Sequence, residues 1–245
     1  MGTQEHDEDV LAEINRAHNH GETPDLSDWN LYKANLSGLD LRGADLTSAD
    51  LQDADLTHTD LRGAYLGDAT LKDADLTSAD LQDANLAHTD LRGAYLYGTN
   101  LEGADLTGTS LLSANLTNAD LKGANLRGAN LHATTAHGAD LTNANLTQAT
   151  LIRNNLQGAN LTRADLTEAR LVGNAITDHQ LLSTRGLNPP PHPHYMPRGE
   201  TPHDIPTETW NRILPINREL LTELLRDWDG TLREAIATAE LLHTA

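Results

Sequence analysis

From Leu26 to Ile176 an apolar side chain returns at every fifth residue: leucine throughout, except Ala136 and the closing Ile176, with no insertion or deletion in the register. Two places before each leucine stands, in most units, alanine (Ala34, Ala44, Ala49, Ala54, Ala64), and one place before it Asp or Asn. A period of five fits neither the 3.6 of an α-helix nor the 2 of a strand, so neither element keeps these leucines on one buried side. The chain must therefore turn once per unit. With leucine and the preceding alanine inward, each unit is a short extended segment and the two residues after the leucine form a corner. Gly38, Gly43, Gly63, Gly93, Gly103, Gly123, Gly128 and Gly158 occupy the second corner position, which suits the positive φ of a type II turn. Four corners close a coil of twenty residues. Stacked coils pair above and below at about 4.8 Å, so roughly thirty units make a rod about 36 Å long.

The motifs Ala44-Asp45-Leu46, Ala104-Asp105-Leu106 and Ala124-Asn125-Leu126-Arg127-Gly128 resemble those of the pentapeptide repeat family. That resemblance implies an all-β solenoid, a right-handed quadrilateral β-helix, over residues 26–182.

The flanks have other patterns. In residues 1–25, Val10, Leu11 and Ile14 lie at helical spacing between Glu8 and His18, before Gly21 and Pro24. This predicts a short N-terminal helix that caps the first coil, whose open edge would otherwise invite aggregation. Thr177 to Leu182 is expected to form a short helix closing the last coil. Residues 183–206 contain Pro189, Pro190, Pro191 and Pro193 and read as a linker. In residues 207–245, Trp210, Ile213, Leu214, Leu220, Leu221, Leu224, Leu225 and Trp228 predict amphipathic C-terminal helices, broken at Pro215 and restarted by the capping box Thr231-Leu232-Arg233-Glu234.

Residues twenty apart stack, which sorts the surface into columns. Asp40, Asp60 and Asp80, together with Asp50 and Asp90, are expected to form an acidic interaction surface, beside Arg42 and Arg62. Another column places Leu112, His132, Ile152 and Val172 at an outward corner, an apolar stripe of the kind usually covered by something. Two helices cannot make a core alone, so Leu221, Leu224 and Trp228 are expected either to dock on that stripe or to pair across a homodimer. Tyr65 and Tyr95 point outward as parts of a near-identical thirty-residue duplication, Leu46 to Leu66 and Leu76 to Leu96.

Charge narrows the functional classes. The net charge of −19 argues against direct nucleic-acid binding and against anionic membrane surfaces. It is concentrated: residues 26–105 hold fifteen acids and five bases, a net of −10, whereas residues 106–176 hold four acids and five bases. With no cysteine and no apolar leader, a cytoplasmic protein is expected. His18 and His20, and His192 and His194, are not accompanied by further ligands, so no metal and no cofactor are expected. Asp227-Trp228-Asp229-Gly230-Thr231 matches a phosphatase signature, but the residues before it have helical spacing, and it reads as an interhelical turn. No catalytic constellation appears, and the expected function is a non-enzymatic protein-interaction scaffold. The family resemblance adds an alternative, because some members resemble DNA in shape and charge, bind type II topoisomerases such as DNA gyrase, and protect against quinolones or peptide toxins.

Overall fold

The computed structural model describes residues 3–177, 180, 181 and 183–186, with side chains from Glu8 onward. Helix α1 (Thr3–His20) leads into coils in which nearly every fifth residue bridges in parallel to the residue twenty places later, from Asp25↔Asp45 to Asp165↔Arg185. The backbone accounting of one unit explains its composition. Leu31 N–H donates to Asp50 O at 2.7 Å and Lys33 N–H to Gln52 O at 3.0 Å in the next coil, while Ala34 N–H closes the corner on Leu31 O at 3.0 Å. Asp50 N–H returns to Trp29 O at 2.9 Å. The remaining donor, Tyr32 N–H, is taken by the Asn30 side-chain oxygen at 3.1 Å. That last bond is why Asp or Asn precedes leucine: a short carbonyl-bearing side chain accepts from the N–H two residues on.

The second corner residue has positive φ in every unit from Asp28 to Gly173, as the turn requires, but many are not glycine. Asp, Asn and Ser dominate the others, the first two being residues that tolerate the left-handed region. Inside, Leu41, Leu61, Leu81, Leu101, Leu121, Leu141 and Leu161 form one column, none more than 2 % exposed. Where threonine replaces the inward alanine, its hydroxyl donates to a leucine carbonyl of the preceding coil, as Thr59 does to Leu36 O at 2.8 Å.

Helix α1 begins earlier than the Glu8 start read from apolar spacing. No glycine or proline interrupts residues 3–20, so nothing in the sequence stops the helix short of Thr3. Val10, Ile14 and Ala17 are buried with Leu26 and Leu31, whereas Leu11 is exposed. Gly21, at φ 69°, ends the helix.

At the other end, Thr177 and Gln180 form a capping box: Gln180 N–H donates to Thr177 Oγ1 at 3.3 Å, and Thr177 N–H to Gln180 Oε1 at 2.8 Å. The Gln180 amide also donates to Leu156 O and Ala159 O, both at 2.7 Å. Pairing continues to Arg185, past residue 182, where the sequence reading placed the boundary. The remaining linker and the C-terminal helices expected over 207–245 lie outside the described residues. Among the described residues, no helix is long and apolar enough to cross a membrane.

One buried polar atom is orphaned among the described residues: Asn154 Nδ2. Asn154 occupies an inward position that alanine fills in the first five coils, and its Oδ1 accepts from Thr134 N–H at 3.2 Å. Thr134 N–H also has Leu131 O at 3.2 Å, so the backbone does not depend on Asn154. Asn154→Ala should therefore raise stability by about 1 kcal/mol, since an unmatched buried donor costs about 1–3 kcal/mol. Chemical denaturation checks this, and a loss of stability would mean that the amide is satisfied by an ordered water.

Candidate interaction surface

Each outward carboxylate before a leucine has one oxygen committed to the turn, and asparagine fills the same place. Asn35, Asn85, Asn100, Asn115 and Asn145 accept the same N–H at 3.0–3.1 Å as Asp45, Asp55 and Asp105 do at 3.0 Å. The turn therefore takes either acceptor, irrespective of its charge. Asp28, Asp53, Asp68, Asp73 and Asp83 stand at second corner positions with φ of 57–60°, where asparagine would also fit.

Asp40, Asp60 and Asp80 stack in one ladder, interleaved with arginine. Arg42 meets Asp40 at 2.6 Å and Asp60 at 3.7 Å, and Arg62 meets Asp60 at 2.6 Å and Asp80 at 3.6 Å. Lys122 bridges Asp120 and Asp140 at 2.7 and 3.5 Å further along the same column. Asp50 and Asp90 share a different column through Thr70, half a coil away, and Arg92 pairs with Asp90 at 2.6 Å. The five carboxylates expected to make one surface thus fall into two ladders, and most are held by a cation two residues on.

Hydrogen bonding from Arg42 holds the Asp40 carboxyl down at about 2. Arg62 and Arg92 likewise lower Asp60 and Asp90 against the opposing effect of partial burial. A carboxyl whose folded pKa is depressed stabilises the fold above its unfolded value and loses that contribution as pH falls through the folded value. Stability should be level above about pH 5 and decline between about pH 4 and 2. The combined variant Asp40→Asn, Asp60→Asn, Asp90→Asn should show a shallower decline in thermal unfolding across that window.

Sorting residues 26–105 by column locates the uncompensated charge. One wall and its corner carry Asp28, Asp45, Asp68 and Asp105 with no lysine or arginine, and Tyr65 sits between Asp45 and Asn85 in the same column, 54 % exposed. A second base-free side carries Asp55 and Asp75, beside the exposed Tyr95 and Tyr97. The signal for these groups is present in the sequence, but only when the bases are subtracted column by column. In the apolar column, Leu112, His132, Ile152 and Val172 are half-buried. Leu221, Leu224 and Trp228 lie outside the described residues. Among the described residues, no group of three His, Cys, Asp or Glu side chains could hold a metal ion.

A family model described as pentapeptide repeats matches in eight copies, over residues 25–63, 54–93, 74–111, 94–132, 109–148 and 144–173. Among solved structures, HetL, a pentapeptide repeat protein involved in heterocyst differentiation regulation from the cyanobacterium Nostoc sp. strain PCC 7120, is 32% identical. It covers 72% of this chain and 98% of its own, with a TM-score of 0.28. A pentapeptide repeat protein of the Arabidopsis thaliana thylakoid lumen is 27% identical over 59% of this chain and 72% of its own, with a TM-score of 0.24. A trypsin-treated form of QnrB1, a plasmid-mediated fluoroquinolone resistance protein, is 21% identical over 66% of this chain and 85% of its own, with a TM-score of 0.43. No curated protein sequence matches the chain.

Proposed function

The chain belongs to the pentapeptide repeat family, and from that premise we propose that it is a non-enzymatic scaffold that binds a protein partner through the base-free acidic wall. In this reading the coils form a right-handed, four-sided β-helix and α1 is its N-terminal cap. The observation that carries the proposal is the use of Asp where Asn closes the same turn: away from the arginine-laced ladders, the first four coils bear charge that their own turns do not need. Around Tyr65 that charge is left without cations, and an exposed tyrosine is a residue type enriched at protein interfaces. The interior is filled by leucine and alanine, so the chemistry of the molecule is displayed on its outside.

The test uses isosteric changes. Asp28→Asn, Asp45→Asn, Asp68→Asn and Asp105→Asn together keep the turn acceptors and the left-handed corners while removing four charges. This variant should unfold at the wild-type temperature yet lose the partner recovered by quantitative cross-linking mass spectrometry from the source cells. Asp40→Asn with Asp60→Asn and Asp80→Asn, on the arginine-laced ladder, should retain it. An unchanged set of cross-linked proteins for the four-charge variant would overturn the proposal.

A second reading names the partner as DNA gyrase or another type II topoisomerase, with the acidic coils imitating DNA. Its specific support is charge spacing. Residues 26–105, with fifteen acids and five bases, span about 19 Å in four coils, one net charge per ~2 Å against about 1.7 Å for duplex DNA. In a supercoiling assay the wild type would then inhibit gyrase, less so as salt rises, and the four-charge variant would need a higher concentration. A wild-type protein without effect at micromolar concentration removes gyrase and leaves the scaffold reading standing.

A further inference from the structure

The corners of the last coils depart from the rest of the rod. At Leu151–Asn154 the side-chain amide of Asn174 is inserted into the turn: its Nδ2 donates to Leu151 O at 2.8 Å, and its Oδ1 accepts from Asn154 N–H at 2.8 Å. Held open in this way, the corner extends into two paired three-residue strands, β1 (Thr150–Ile152) and β2 (Arg170–Val172), with Ile152 opposite Val172. The column Leu112, His132, Ile152, Val172 ends on this two-stranded face, and its four side chains are half-buried.

Two cations border this face: Arg153 and Arg170 flank Ile152 and Val172, and among the described residues neither forms an ion pair, as Arg127 and Arg163 also do not, whereas Arg42, Arg62, Arg92 and Lys122 do. An apolar stripe bordered by unpaired cations fits an amphipathic, acidic segment. The chain supplies one. Residues 207–245 hold seven acids and four arginines, a net of −3, and place Leu221, Leu224, Leu225 and Trp228 at i, i+3, i+4 and i+7. Arg185, whose backbone bridges in parallel to Asp165, lies in the coil that contains β2. About eighteen linker residues at roughly 3.1 Å each then reach over 50 Å, more than the rod's length.

We propose that residues 207–242 of the same chain dock on this face, seating Leu221, Leu224 and Trp228 against Leu112, Ile152 and Val172 with their acids toward Arg153 and Arg170. The amide of Asn174, by opening the corner, shapes the platform.

The full-length protein carrying Trp29→Phe retains Trp210 and Trp228 as its only tryptophans and reports the docking by fluorescence. Emission should be that of a shielded indole, independent of protein concentration in a monomer established by light scattering. Ile152→Asp with Val172→Asp should shift it to the longer wavelengths of indole in water. Leu221→Asp with Leu224→Asp, which leaves the coils untouched, should shift it equally. Water-like emission in the Trp29→Phe parent, or emission unmoved by either pair, would overturn the proposal. So would shielding lost on dilution together with a dimer, which would identify a second copy as the occupant.

Discussion

Leu101→Ala should lower stability by about 2–5 kcal/mol, the range for a leucine truncated in a core that cannot close over the loss. Leu101 is fully buried between Leu81 and Leu121 in one column. Its backbone cannot move inward, because Leu101 N–H is bound to Asp120 O at 2.6 Å, and Asp120 N–H returns to Thr99 O at 2.9 Å. The coils on either side hold the void open, so the full cavity cost applies. Leu171→Ala, in the last complete coil, where the leucine is 9% exposed, should cost less. Denaturant unfolding of the two variants checks both statements, and equal losses would show that the middle of the rod relaxes as freely as its end.

Deletions separate the coil from the amino acids that compose it. Removing residues 81–100 joins Asp80 to Leu101 and preserves every column, because each residue moves by one whole coil. The shortened protein should keep its circular dichroism and unfold cooperatively, as a repeat protein does when one unit is removed. Removing Gly103 alone should abolish folding of the coils beyond it. All five N–H groups of the unit Leu101–Asp105 have partners, four in the backbone and one in the Asn100 side chain, so a missing residue leaves Leu106 and its successors out of phase. A soluble, cooperative single-residue deletion would mean that the coil tolerates a local bulge.

The five-residue beat made the coil legible because only a chain turning once per unit can bury every leucine. The role of the Asp or Asn before leucine was less legible. Read along the chain it is a charge or an amide, and only the bond from Tyr32 N–H to Asn30 shows it to be a turn acceptor. Glycine suggested the left-handed corners, but Lys33, His58 and Ala133 adopt the same φ, held there by the hydrogen bonds of the neighbouring coils. Pairing of Asp60 with Arg62 could be read from their spacing, whereas the absence of lysine and arginine from the columns of Asp45 and Asp68 within residues 26–105 emerges only when columns are compared. Insertion of Asn174 into another coil's turn has no local signature, since its partners Leu151 and Asn154 lie a full coil away.

The twenty-residue coil decides which carboxylates share a wall, and the absence of native cysteine permits a direct measurement of it. Ser37 Oγ and Thr57 Oγ1 stand 2.7 Å apart in adjacent coils, and coil spacing of about 4.8 Å falls within the Cα separations that a disulfide spans. Ser37→Cys with Thr57→Cys should oxidise to an intramolecular disulfide, read by the mass and mobility of the unreduced protein, while Thr47→Cys with Thr57→Cys, ten residues apart and half a coil away, should remain reduced. A bond in the second pair and none in the first would contradict the account.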